Sequence, residues 1–222
     1  MPLIYKRTIT PDTILGIWEI EENIQLEDYC PQSVCDSTST KNKARRKETA
    51  AVYALLHSLY ENDNLVISHE LTGKPYLAIL VGNGEKRHIH TNISISHTDG
   101  FAAIILSASH KVSIDIEYMS SRIERIKERF LRHDELNDIH INTKNTEKRE
   151  EGIKQLLLYW CSKETVFKLF SDNHLTFQNM KVQPIQNIEQ NGTIICRNML
   201  QGENCNIIYT ITDRYAITYC VV

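Results

Sequence analysis

Asp115 and Glu117 stand two residues apart in the run Lys111-Val112-Ser113-Ile114-Asp115-Ile116-Glu117. Val112, Ile114 and Ile116 alternate with Ser113, Asp115 and Glu117, which is the period of a β-strand. Two residues of strand advance about 6.6 Å, so the three polar side chains share one face. Two carboxylates so placed can chelate one hard cation, and Mg²⁺ is commonly held by one or two carboxylates together with substrate phosphates. The plain alternative is a solvated strand face ending at a turn. A second constellation is Tyr159-Trp160-Cys161-Ser162-Lys163-Glu164-Thr165-Val166-Phe167-Lys168. On a helix Trp160, Glu164 and Lys168 fall at i, i+4 and i+8, along one stripe. That stripe is either a surface Glu–Lys pair, worth about 0.2–0.5 kcal/mol, or an acid/base set. Leu156, Leu157, Leu158, Trp160, Val166 and Phe167 make this helix apolar nearly all round, so it should be largely buried. Charges on such a helix need partners or a cleft.

The elements that must position these groups are legible in outline. Ala44, Ala51, Leu55 and Leu59 recur at helical spacing and predict a helix from about Lys43 to Tyr60, with capping residues offered between Ser37 and Thr40. Its start is basic, with Lys41, Lys43, Arg45, Arg46 and Lys47. A short strand, Leu65 to His69, precedes a turn at Thr72-Gly73-Lys74-Pro75. Asn92 to Ser96 and Phe101 to Leu106 form a hairpin with His97-Thr98-Asp99-Gly100 as its turn. The strand Lys111 to Glu117 follows. Ile123 to Ile139 reads as one helix rich in basic residues, and the polar stretch at about 140–150 reads as a mobile loop. A helix from about Gly152 to Phe170 and β segments near 193–199, 206–212 and 215–221 complete the chain. Helices and hairpins in both halves predict an α+β fold.

With 222 residues the chain has room for one large domain or two of about half that length. It is 41% hydrophobic and 24% charged, which supplies a core and excludes wholesale disorder. A net charge of -3 argues against a nucleic-acid partner held by bulk positive potential. No apolar run reaches the roughly 20 residues of a membrane helix, and Met1 to Lys6 do not read as a signal peptide. The six cysteines include no CxxC pair and read as reduced thiols, so the expected location is cytoplasmic.

Taken together, the two constellations resemble the 4′-phosphopantetheinyl transferases. That family carries a (V/I)-G-(V/I)-D strand and, after a spacer, a (W/F)-(S/C/T)-x-K-E-(A/S)-x-x-K helix. Here the strand is Val112-Ser113-Ile114-Asp115-Ile116-Glu117, the helix begins at Trp160, and 44 residues separate Asp115 from Trp160. Gly73-Lys74-Pro75-Tyr76 and Ile95-Ser96-His97 resemble further pieces of the long, Sfp-type branch, in the family's order. Arg45-Arg46-Lys47-Glu48 is similar to its R-R-x-E helix. Three positions depart: Ser113 replaces the strand glycine, Tyr53 stands where an arginine often binds a phosphate, and Thr165 replaces the Ala or Ser after the glutamate.

The resemblance implies transfer of 4′-phosphopantetheine from coenzyme A to a serine of an apo acyl or peptidyl carrier protein, releasing adenosine 3′,5′-bisphosphate. It implies Mg²⁺ on Asp115, Glu117 and Glu164, with Asp115, Glu164 and Lys168 as the catalytic set. Arg45, Arg46, Lys47, Gly73, Lys74, Pro75, Ser96, His97 and Lys163 are implied as contacts for coenzyme A. The implied architecture is two similar α+β halves, 1–109 and 110–222, packed as a pseudo-dimer with the active site in the cleft between them, and hence a monomer in solution. Arg122, Arg125, Lys127, Arg129 and Arg132 suit docking of an acidic carrier helix, or form a solvated basic face. Two other readings stay open. A metal-dependent nuclease or phosphohydrolase would want a lysine two residues after Glu117, where Met119 stands. A degenerate relative would bind coenzyme A or carrier protein without turnover. The sequence leaves open which carrier is served, Mg²⁺ against Mn²⁺, and which carboxylate is the base.

Overall fold

Strand and helix are mixed along the computed structural model, which describes residues 2–60, 62, 64–82, 85–139, 145–170 and 175–222. The fold is α+β, as the sequence predicts. The chain divides into two compact units, one of residues 1–112 with Val222 and one of residues 113–221.

The first unit opens with a hairpin, β1 (Leu3–Thr10) and β2 (Thr13–Glu19), followed by α1 (Gln32–Thr38) and α2 (Lys43–Leu59). Then come β3 (Leu65–His69), β4 (Pro75–Val81), β5 (Glu85–His88), β6 (Asn92–Thr98) and β7 (Phe101–Ser107). Strands β1-β2-β7-β6 make one antiparallel sheet and β3-β4-β5 a second. The buried run Ala50 to Leu56 of α2 packs on β2 and β7 with Leu77, Ala102 and Ile104. Small side chains matter at that contact: a Cβ on Gly16 would stand 2.8 Å from Leu55 Cδ1 and 2.9 Å from Leu59 Cδ2, so glycine lets α2 close on β2.

The second unit holds all but the first residue of β8 (Val112–Tyr118), then α3 (Ile123–Phe130), α4 (His133–Asp138), α5 (Thr146–Leu169), β9 (Met180–Val182), β10 (Asn191–Asn198), β11 (Glu203–Ile211) and β12 (Tyr215–Val221). Its sheet has the order β8-β12-β11-β10-β9. Helix α5 lies against β12 and β9 to β11, and its apolar girdle buries Leu156, Leu157, Leu158, Tyr159 and Val166 against Phe130, Met180 and Ile207. Full burial of side chains like these stabilises by roughly 1.5–3 kcal/mol each.

Several expectations need correction. The helix expected over 123–139 is two helices, because Leu131 and Arg132 take extended backbone (ψ 141° and 161°). Glu135 caps the second helix by accepting from Arg132 N at 2.8 Å. Helix α5 starts at Thr146, six residues before the expected start, capped by Asn145, which accepts from Lys148 N at 2.9 Å. Of the expected loop at 140–150, residues 140–144 lie outside the described residues. The cap of α2 is Asn42, accepting from Arg45 N at 2.8 Å, rather than a residue of 37–40. Strand β6 continues to Thr98, which leaves Asp99-Gly100 as the turn and puts His97 in the strand opposite Ala102. The hairpin β1–β2 was not foreseen, although Pro11-Asp12 between β-rich runs is a turn signal. Among the described residues no helix is long and apolar enough to cross a membrane.

Candidate active site

Strand β8 is covered on both faces at its start: Ser113 is fully buried and Asp115 is only 3% exposed. A solvated strand face is therefore not what these residues form. Lys168 Nζ, from the last turn of α5, donates to Asp115 Oδ1 at 2.7 Å and to the carbonyl of Ile114 at 3.1 Å. Trp160 Nε1 donates to Glu117 Oε1 at 3.0 Å. The two ends of the helical stripe Trp160–Glu164–Lys168 thus both donate to acids of β8. Glu164 lies between them in sequence and is pushed up to about 7, first by burial and then by the charges of Asp115 and Glu117, against the pull of Lys168. Cys161 is also buried, and burial with the neighbouring Asp115 and Glu117 carboxylates keeps its thiol protonated.

Among the described residues no group of three His, Cys, Asp or Glu side chains is gathered closely enough to hold a metal ion by itself. Asp115, Glu117 and Glu164 feel one another's charge, but Lys168 and Trp160 hold the first two. The donor set still suits a hard divalent cation. The one ammonium of Lys168 is bonded to Asp115, and Glu164 is raised first by its burial and then by the charges of Asp115 and Glu117, the latter a repulsion that a cation would relieve. Mg²⁺ needs only one or two protein carboxylates when phosphates complete its shell.

Lys163, expected to meet coenzyme A, is turned inward and fully buried. Its ammonium donates to Glu135 Oε2 at 2.5 Å, to Phe130 O at 2.8 Å and to Phe177 O at 3.2 Å. Three bonds use all three N–H groups and leave none for a phosphate. Burial lowers its pKa, and Glu135 pulls it back up. Glu135 in turn accepts from Val182 N at 2.8 Å through Oε1, so one buried carboxylate ties α4, α5 and β9 together. The departures from the family pattern are absorbed locally. Thr165 Oγ1 meets Thr218 Oγ1 at 2.7 Å in the core. Tyr53 is a buried strut whose hydroxyl accepts from Ile67 N at 3.0 Å. Of the three departures, Ser113 alone has a buried hydroxyl with no hydrogen-bond partner among the described residues, a cost of roughly 1–3 kcal/mol.

The remaining candidates belong to the first unit. His97 projects from β6 toward the start of α2, where its Nε2 meets Arg45 Nη1 and its Nδ1 lies 3.4 Å from Glu48 Oε2. Arginine only donates, so Nε2 accepts and the ring proton sits on Nδ1, facing Glu48. Glu48 also pairs with Arg45 at 3.0 Å, and Arg46 pairs with Glu27 at 2.7 Å. Lys47 is half-buried on the next position of α2, and Ser96 is buried beside His97, opposite Ala103. Gly73 (φ +86°), Lys74 and Pro75 form the β3–β4 turn, closed by Glu70 N to Lys74 O at 2.9 Å. Sequence reasoning gave no site role to Trp160, Glu135 or Glu48. The i, i+4, i+8 stripe marks Trp160, whereas nothing in the sequence pairs Glu135 with Lys163.

Residues 111–220 match the family model of the 4′-phosphopantetheinyl transferase superfamily. No curated protein matches the chain. The match runs from the start of β8 into β12, covers every acid and lysine of the second unit's cluster, and supports phosphopantetheine transfer in general.

Proposed function

We propose that this chain is an Sfp-type 4′-phosphopantetheinyl transferase, moving the group from coenzyme A to a serine hydroxyl of an apo carrier protein. The observation that carries this reading is the joining of the two motifs: Lys168 and Trp160 of α5 donate to Asp115 and Glu117 of β8, with Glu164 between them.

In the reaction the serine oxygen forms a bond to the β-phosphorus of coenzyme A, and the phosphoanhydride bond to the adenosine bisphosphate breaks. Positioning and cationic stabilisation carry most of the catalysis in such transfers. Asp115, Glu117 and Glu164 would hold a divalent ion, which when bound supplies charge neutralisation at the phosphoryl oxygens. Glu164, close enough to Asp115 and Glu117 to feel their charges, is the carboxyl of α5 placed to accept the serine proton. Lys168, already an ammonium donor beside Asp115, offers a cation and a proton to the departing phosphate. In the first unit, Arg45, Arg46, Lys47 and His97 are the groups for the phosphates of coenzyme A, and Gly73, Lys74, Pro75 and Ser96 for its adenine and neighbouring phosphate. Arg122, Arg125 and Arg129, exposed on and just before α3, suit an acidic carrier helix.

The test is intact-mass spectrometry of several acyl and peptidyl apo carriers incubated with the full chain, coenzyme A and Mg²⁺. Each served carrier gains the mass of one phosphopantetheinyl group, and Asp115→Ala abolishes the gain. No gain on any carrier, or wild-type turnover by Asp115→Ala, overturns the reading.

A further inference from the structure

Trp160 is gripped on two sides. Its ring meets Phe130 edge-on at 5.2 Å (75°) and Phe177 at 5.2 Å (41°). The backbone carbonyls of those same two residues accept from the buried ammonium of Lys163, which Glu135 neutralises. The clamp on the indole is therefore built from the interior outward: a buried ion pair fixes two carbonyls, their phenyl rings fix the indole, and the indole N–H fixes one oxygen of Glu117. An indole N–H donates only, so it orients a carboxylate without competing for a cation.

We infer that Trp160 is the positioning residue for Glu117, holding that carboxylate beside Asp115 in the orientation a divalent ion needs. The inference rests on the proposed transferase reading and adds to it a residue whose part is played through Glu117. Outer donors to metal-binding carboxylates typically cost about 10–100-fold in metal affinity or activity when removed.

Trp160→Phe is the decisive variant, because it keeps an aromatic ring between Phe130 and Phe177 while deleting the donor with part of the ring's volume, and the Glu117→Gln background separates the two losses. Mn²⁺ serves as the probe, titrated calorimetrically into full chain with adenosine 3′,5′-bisphosphate. The expected result is affinity about 10–100-fold weaker than wild type, a matching rise in the Mg²⁺ concentration for half-maximal transfer, and an unchanged KM for coenzyme A. In a Glu117→Gln background the same change should have no further effect on Mn²⁺ affinity. Equal Mn²⁺ affinity in wild type and Trp160→Phe overturns the inference and leaves the transferase reading standing; a wild type that takes up no Mn²⁺ and transfers nothing overturns both. Should Trp160→Phe fail to fold, the indole N–H resonances of wild type decide. Mg²⁺ should shift the Trp160 signal and not that of Trp18, which lies in the other unit, and an unmoved Trp160 signal overturns the inference.

Discussion

The acid cluster of residues 113–221 and the basic cluster of residues 1–112 are built on opposite plans. In the former, Asp115 is buried, its lysine partner comes from a helix with a fully buried girdle, and the flanking Lys163–Glu135 pair is wholly inside. In the latter, Arg45, Arg46 and His97 sit at partly exposed positions, each already matched by Glu48 or Glu27. One cluster is held in geometry by the core; the other is held by exposed ion pairs that contribute about 0–1 kcal/mol each. Changes in the first should therefore damage folding or chemistry, and changes in the second should damage affinity alone.

That contrast can be broken at its strongest point first. Lys163→Met strands the Glu135 carboxylate in the core and is expected to cost about 3–5 kcal/mol, read by denaturant unfolding. Adding Glu135→Gln should recover part of the loss. Stability unchanged by Lys163→Met would mean that the buried pair organises nothing. Next in size, Glu164→Gln should lower transfer by roughly 10²-fold if Glu164 takes the proton. It also separates the two roles of that carboxyl. In the fold its pKa is held up to about 7 from an ordinary 4.5, so the folded state binds more protons through that window. Stability is then lost as pH rises from about 4.5, and the loss is complete above about 7. In chelator-treated protein Glu164→Gln should melt progressively higher than wild type between about pH 5 and about pH 8, and a pH-independent difference would refute the shift. The smallest effect belongs to the basic cluster. Arg45→Ala should leave the melting temperature nearly unchanged and raise KM for coenzyme A, the difference shrinking as salt screens the site.

What the sequence disclosed follows the range of the interactions involved. The strand of Asp115 and the stripe of Trp160, Glu164 and Lys168 were legible because alternation and helical spacing are local periodicities. The helix over Lys43–Leu59 and the strand Leu65–His69 were legible for the same reason. The break between α3 and α4 was not, since neither proline nor glycine marks it. It is set by Glu135, whose partners Lys163 and Val182 lie 28 and 47 residues away. The inward turn of Lys163 escaped notice on the same account: a lysine within a charged motif looks like a ligand until the carbonyls of Phe130 and Phe177 are seen above it. The sequence places His97 in a turn because the four-residue loop His97-Thr98-Asp99-Gly100 and the two-residue loop Asp99-Gly100 end on the same glycine; pairing of His97 with Ala102 and Thr98 with Phe101 selects the shorter one.

The three acceptors around the Lys163 ammonium also constrain what evolution can write there. An arginine would preserve the charge but carry five N–H groups into a dry compartment that has supplied acceptors for three. Position 163 thus selects its residue by counting hydrogens rather than by sign of charge, so an exchange that sequence comparison scores as mild would be a severe one in this core.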